Sequence, residues 1–141
     1  MRYLLAILAL AGALVSTLAL RVHYSTETEP CSINEKWDCC IVNHSPYAEV
    51  MHVPVAAAGI ACYLILAGLA LARLRAVTAA IGLAGLSFAL YLSHIERDVL
   101  KMWCLYCVIS QGVIALIALL SIAWAVALRI GSRRNKAAVT P

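Results

Sequence analysis

The sequence predicts an all-α fold: an integral membrane four-helix bundle with a cysteine-containing extracytoplasmic loop between helices 1 and 2. Three observations carry this expectation. Of 141 residues, 64% are hydrophobic and only 13% charged, with a mean hydropathy of +0.90, whereas soluble domains average roughly 45–50% apolar and ~25% charged residues. Four long apolar stretches interrupt an otherwise polar chain, each close to the ~20 residues that cross a bilayer. The basic residues also fall on alternate sides of those stretches, as membrane orientation requires. Intrinsic disorder is excluded, because so much apolar surface cannot stay in water. The net charge of +4 maps onto topology and gives no sign of nucleic-acid binding.

The first helix is expected over about 3–22, and its run from Tyr3 to Leu20 has no charged residue. That run is longer than the usual 7–15-residue core of a signal peptide. The triplet directly before Arg21 is Leu18-Ala19-Leu20 and not a clean A-x-A site, so the segment is read as a retained helix rather than a cleaved leader. The second and third helices are expected over about 53–72 and 76–93. Only Arg73-Leu74-Arg75 separates them, which forces a tight antiparallel hairpin. Gly59, Gly68, Gly82, Gly85, Ala79 and Ala84 supply the small residues that let helices approach closely in lipid. The fourth helix is expected over about 104–128. Residues 1–129 thus form one transmembrane domain, and 130–141 are read as a basic, poorly structured cytoplasmic tail.

Arg2, Arg73, Arg75, Arg129, Arg133, Arg134 and Lys136 gather on one side without an acid, while all seven acids lie on the other. Positive residues mark the cytoplasmic side, so both termini are expected there. The polar segment from about His23 to His52 is then extracytoplasmic. Thr26 to Pro30 reads as loop, and Ser32 to Val50 has room for short interfacial helices. Trp37, Trp103 and Trp124 fall near expected interfaces. Glu96-Arg97-Asp98 reads as a solvated turn, and His23, His44, His52 and His94 as solvated or interfacial residues.

Cysteine is the informative residue. Cys31, Cys39, Cys40, Cys104 and Cys107 all fall on the outer side or at its boundary, where disulfides persist; Cys62 sits inside the second helix and reads as a small apolar packing residue. Cys104-Leu105-Tyr106-Cys107 is a C-x-x-C opening the fourth helix. Unpaired N–H groups there favour a thiolate, and residues at i and i+3 share a face, so the two sulfurs can form a disulfide. The motif also straddles water and lipid, which suits exchange with a soluble thiol on one side and a lipid-soluble redox molecule on the other. Two disulfide pairs in series make an electron relay through mixed disulfides. Seven residues separate Cys31 from Cys39, and vicinal Cys40 is an alternative partner for it. Structural staples, and soft-metal sites for copper or mercury on the same cysteines, are the rival readings. Zinc spacing is wrong, since no second pair matches the C-x-x-C, and no metal is expected.

Together these residues resemble the vitamin K epoxide reductase family, in its bacterial disulfide-forming branch, over about residues 3–128. The resemblance rests on Cys31-x7-Cys39, Asn43-His44-Ser45-Pro46-Tyr47-Ala48, Val53-Pro54-Val55-Ala56 and Cys104-x-x-Cys107, in that order. It implies a four-helix bundle enclosing a quinone beside the C-x-x-C, with Cys31 and Cys39 as the shuttle pair. Ser45, six residues after Cys39, falls where the family keeps a Ser or Thr, and this spacing favours Cys39 over Cys40. Cys107 would face the quinone and Cys104 would exchange with the shuttle, while Tyr47 and Tyr63 match aromatic positions around the pocket. Val55 stands where vertebrate enzymes have an Asn, and Gln111 replaces their Tyr. Val cannot donate a hydrogen bond whereas Gln can, so the resemblance implies plain quinone reduction rather than epoxide reduction.

The implied activity is a membrane thiol:quinone oxidoreductase supporting disulfide formation, with a menaquinone, ubiquinone or vitamin K type quinone as substrate. The implied partner is a separate extracytoplasmic thioredoxin-fold (DsbA-like) protein. The other four-helix quinone-linked oxidase, the DsbB type, carries its C-x-x-C in the first outer loop, the reverse of the order here. The implied location is the cytoplasmic (inner) membrane, crossed several times.

Overall fold

The computed structural model describes residues 1–25 and 33–139, with side chains as far as Arg133. The chain is mostly helical. Helix α1 spans Arg2–Tyr24, a short α2 spans Cys39–Asn43, α3 spans Val55–Leu71, α4 spans Arg75–Ile95 and α5 spans Leu105–Val139. Three of the apolar helical segments, Arg2–Tyr24, Arg75–Leu100 and Leu105–Arg133, are long and apolar enough to cross a membrane; α3, at 17 residues, is shorter. Helix α1 packs on α3 and α5, and α4 packs on the same two helices.

The packing follows from residue size. Along α1, Leu5, Ala9, Gly12, Ser16 and Ala19 are buried at alternating spacings of four and three, which line up on one helix face. On the opposite face Leu4, Ile7, Leu10 and Leu14 are exposed, as lipid-facing residues must be. Lipid tails are as apolar as Leu, so helices associate through close packing and not through escape from water. Gly12 meets the Tyr63 ring so closely that any β-carbon there would collide with it, and a β-carbon on Gly59 would lie 3.0 Å from the Ser16 hydroxyl. A β-carbon on Gly82 would come within 3.4 Å of the Ala118 backbone. Small residues therefore set the α1–α3 and α4–α5 approaches. Leu5, Ala9, Ala13, Tyr63, Leu66, Ala67, Ala70, Ile114 and Ile117 form the main core.

The expected hairpin between the second and third helices closes as a Schellman turn. Leu74 N–H donates to Leu69 C=O at 3.1 Å and Arg73 N–H to Ala70 C=O at 3.2 Å. Arg73 takes the left-handed conformation with φ 61°, a position usually given to Gly. The Arg75 guanidinium lies 4.7 Å from the Trp124 ring centre, tying the turn to α5.

Three element boundaries differ from expectation. Val53–Pro54 pairs antiparallel with Glu49–Val50 as a two-stranded hairpin, so the second helix starts at Val55. Pro54 restricts the residue before it to extended backbone, which explains the later start. Between the strands, Met51 and His52 both have positive φ, 53° and 65°, the backbone of a type I′ turn. At the other end, α5 does not stop at 128. The expected unstructured tail continues as helix to Val139, because its composition contains good helix formers and its basic residues suit the negative end of the helix dipole. Finally, the Glu96–Leu100 segment is a π-helical turn, ended by Lys101 at φ 55°; Arg97 and Asp98 in it are exposed as expected, but Glu96 is buried.

Candidate functional site

Cys39, Cys104 and Cys107 converge where α1 ends and α5 begins. Trp103 N–H donates to Lys36 C=O at 2.8 Å, and Asp38 N–H donates to Trp103 C=O at 3.1 Å. The Trp37 and Trp103 rings stack in a tilted pair 6.2 Å apart. The loop is thus laid, backbone to backbone, on the segment that leads into the C-x-x-C. Helix α2 has only five residues, too short to persist on intrinsic propensity. Asp38 caps it, its Oδ1 accepting from Cys40 N–H at 2.9 Å and Ile41 N–H at 3.2 Å, a cap worth ~1 kcal/mol.

Cys39, at the first position of α2, is completely buried and disulfide-bonded. Cys31, its expected partner, lies outside the described residues, as does the loop expected at 26–30. Cys40 carries a free thiol, 3.5 Å from His44 Nδ1. Val22, Cys39, Val42 and Cys104 form one buried cluster, with Cys107 and Tyr106 packed against it. Asn43 bridges the two cysteines: its side-chain amide donates to Cys39 C=O at 2.8 Å and to the Cys104 sulfur at 3.5 Å.

His23 departs from the solvated reading. It is mostly buried, pairs with Glu49 at 3.2 Å, contacts the Asn43 carbonyl and stacks on His44. The end of α1 thereby holds both α2 and the strand hairpin in place.

Cys104 and Cys107 are both free thiols. Cys104 immediately precedes α5, and its sulfur accepts from Cys107 N–H at 3.4 Å, the bond that a helix-capping side chain makes. Cys104 lies outside the membrane-spanning segments, and its thiol is held below the ordinary range. Hydrogen bonding from the Cys107 thiol is the largest cause, with the Cys107 backbone and the Asn43 amide adding to it, against burial and the Glu96 carboxylate. Thiolate absorbance in the ultraviolet, taken as reduced wild type minus Cys104→Ala, should therefore titrate with a midpoint at lower pH than that of an ordinary free thiol. In Asn43→Leu, which removes one donor to the sulfur, that midpoint should rise.

Beneath the thiols lies a cavity of about 300 Å³, at the small end of the ~300–1,000 Å³ range of ligand pockets. Ser45, Tyr47, Val55, Tyr63, Gln111 and Cys107 all line it; Cys104 faces Cys39 instead. Tyr63 donates to Ser110 C=O at 2.8 Å, and Ser45 Oγ donates to Val42 C=O at 2.7 Å, so both rotamers are fixed. Ser93 donates to the Gln111 amide oxygen, which leaves the Gln111 NH₂ group as the available donor on that wall. Val55, the first residue of α3, contributes only an apolar surface. Cys62 is half-buried against the core and also borders the cavity.

Glu96 corrects the sequence reading most sharply. It is 3% exposed, lines the cavity and accepts from Cys104 N–H at 3.3 Å. The one sequence signal was its position directly against the end of an apolar stretch. Among the described residues no group of three or more His, Cys, Asp or Glu side chains is arranged to hold a metal ion.

Residues 3–122 match the sequence profile of the Vitamin K epoxide reductase family. The chain belongs to this family. Its class is therefore that of membrane-embedded oxidoreductases that use a quinone as substrate, consistent with the long apolar helices. Among curated proteins, none matches the chain.

Proposed function

We propose that this member of the Vitamin K epoxide reductase family is a thiol:quinone oxidoreductase that drives disulfide formation outside the cytoplasm. The observation that carries the reading is the division of labour between two thiols three residues apart. Cys104 is packed against disulfide-bonded Cys39, and Cys107 borders an apolar cavity.

Electrons enter from a dithiol, either a thioredoxin-fold protein or a small molecule. A donor thiolate attacks the Cys31–Cys39 disulfide, the donor's second thiol closes its own disulfide, and the loop pair is left reduced. The Cys39 thiolate then attacks an oxidised Cys104–Cys107 pair, Cys31 resolves the mixed disulfide, and the C-x-x-C becomes a dithiol. Exchange of this kind favours a thiolate of depressed pKa as the leaving group, which fits the Cys104 environment. The dithiol passes two electrons and two protons to the quinone, giving quinol and the C-x-x-C disulfide. The short path from Cys39 to Cys104 and the preorganised walls provide proximity.

In this reading α1, α3, α4 and α5 form a four-helix bundle in the cytoplasmic membrane. Both termini lie in the cytoplasm and the cysteine loop outside. Ser45, Tyr47, Val55, Tyr63 and Gln111 form the quinone pocket, with the Gln111 NH₂ directed at a quinone carbonyl. No donor at Val55 replaces the vertebrate Asn, so the substrate is a quinone rather than its epoxide. The test is quinone reduction by the purified protein in detergent with a reduced dithiol. Turnover that saturates in quinone is expected; no turnover with naphthoquinones and benzoquinones would remove the reading.

A further inference from the structure

Reducing a quinone moves two protons as well as two electrons, and the cavity has few groups able to carry them. Among the described residues that line it, Glu96 is the only charged side chain, and no histidine or lysine is present. Tyr63 and Ser45 have their hydroxyl protons engaged with backbone carbonyls. The other acids nearby are elsewhere: Asp98 is exposed and paired with His94 at 2.7 Å, and Glu49 is paired with His23.

Local structure is built around Glu96. It opens the π-helical turn, its carbonyl accepts from Met102 N–H at 3.1 Å, and Lys101 in the left-handed region turns the chain back over it. π-Helical turns recur at functional sites. The result places Cys104 N–H on Oε2 at 3.3 Å, and Glu96 and Cys107 line the same cavity. A carboxylate is costly to bury; capping one amide would need only one of its oxygens.

We propose that Glu96 is a catalytic residue, the base that takes the Cys107 thiol proton and delivers it to the quinone. This rests on the thiol:quinone reading above. Cys107 S–H gives its proton to the Glu96 carboxylate, and the sulfur's electron pair passes to the quinone ring. Cys104, having released its proton to solvent, bonds to Cys107 sulfur as the disulfide forms, leaving both electrons on the ring. Glu96 then protonates one quinol oxygen and returns to the carboxylate, while solvent supplies the proton for the other. Two thiols and a quinone become a disulfide and a quinol, with nothing left over.

Glu96→Gln separates this role from a structural one, because the amide oxygen still accepts from Cys104 N–H but cannot accept a proton. With a small dithiol as donor, kcat should fall by about 10²–10⁴, the usual contribution of a general base, while KM for quinone stays within about threefold of wild type. A glutamine variant with wild-type kcat overturns the assignment. Difference infrared spectra of wild type need no variant to fold: a buried carboxyl should gain and lose its proton during quinone reduction, and spectra without such a band also overturn it. Wild type that reduces no quinone removes the underlying reading, whereas active wild type with an equally active glutamine variant removes Glu96 alone.

Discussion

Cys104→Ala and Cys107→Ala should each reduce no quinone, yet fail at different steps. In Cys107→Ala the cavity loses its only sulfur from the C-x-x-C, so no electron pair reaches the quinone. Cys104 remains, packed with Cys39 in the buried cluster and hydrogen-bonded by Asn43. Its thiolate can still attack the loop disulfide, and with no Cys107 to resolve the product a Cys39–Cys104 mixed disulfide should accumulate. Mass spectrometry of non-reduced peptides would detect it. Cys104→Ala keeps the cavity-lining thiol of Cys107 but cannot form the internal disulfide or reach the loop, so no such species should appear. Both variants leave the core of α1, α3 and α5 untouched and should fold. Turnover in either, measured as quinone absorbance loss with a small dithiol, would disprove the C-x-x-C as the site of electron delivery.

The apolar segments were legible because each lipid-crossing helix needs a long uncharged run, and composition alone marks such runs. The family was legible because the C-x-x-C and the motifs around it have fixed order and spacing. What stayed hidden depends on contacts between distant segments. Met51-His52 forms a hairpin turn with two positive-φ residues, but neither is the Gly or Asn that normally announces it; the fold overrides the local preference. The extension of α5 to Val139 was missed because basic residues were read as solvated tail, although they also suit a helix end. Glu96 looked like surface because Arg97 and Asp98 beside it are surface. Glu96 opens the π-helical turn and is buried beside Ile95, while Arg97 and Asp98 after it stay out. Asn43 stood inside a quoted motif, but its contact with Cys104 spans 61 residues of sequence, and no local pattern encodes that.

Cys39→Ala is expected to split the activity by the size of the donor. A thioredoxin-fold protein cannot reach Cys104, which has no exposed surface and lies under the loop strapped to Trp103 by two backbone hydrogen bonds. It must therefore hand its electrons to the loop pair, and without Cys39 that route is closed, so protein-driven quinone reduction should disappear. A small dithiol needs only transient opening of the loop. Local segments held by few buried contacts open at a free-energy cost well below global unfolding, so small-dithiol turnover should persist at a reduced rate. Cys40→Ala serves as the control. Its thiol is free and sits beside His44, outside the cluster that joins Cys39 to Cys104, and both donors should work with it as with wild type. Equal loss with both donors in Cys39→Ala would mean that the residue supports the fold of the loop rather than carrying electrons. Loss with the protein donor in Cys40→Ala would move the shuttle to the neighbouring cysteine. The comparison thus decides which of two adjacent sulfurs works, a choice made by the packing of α2 against α5.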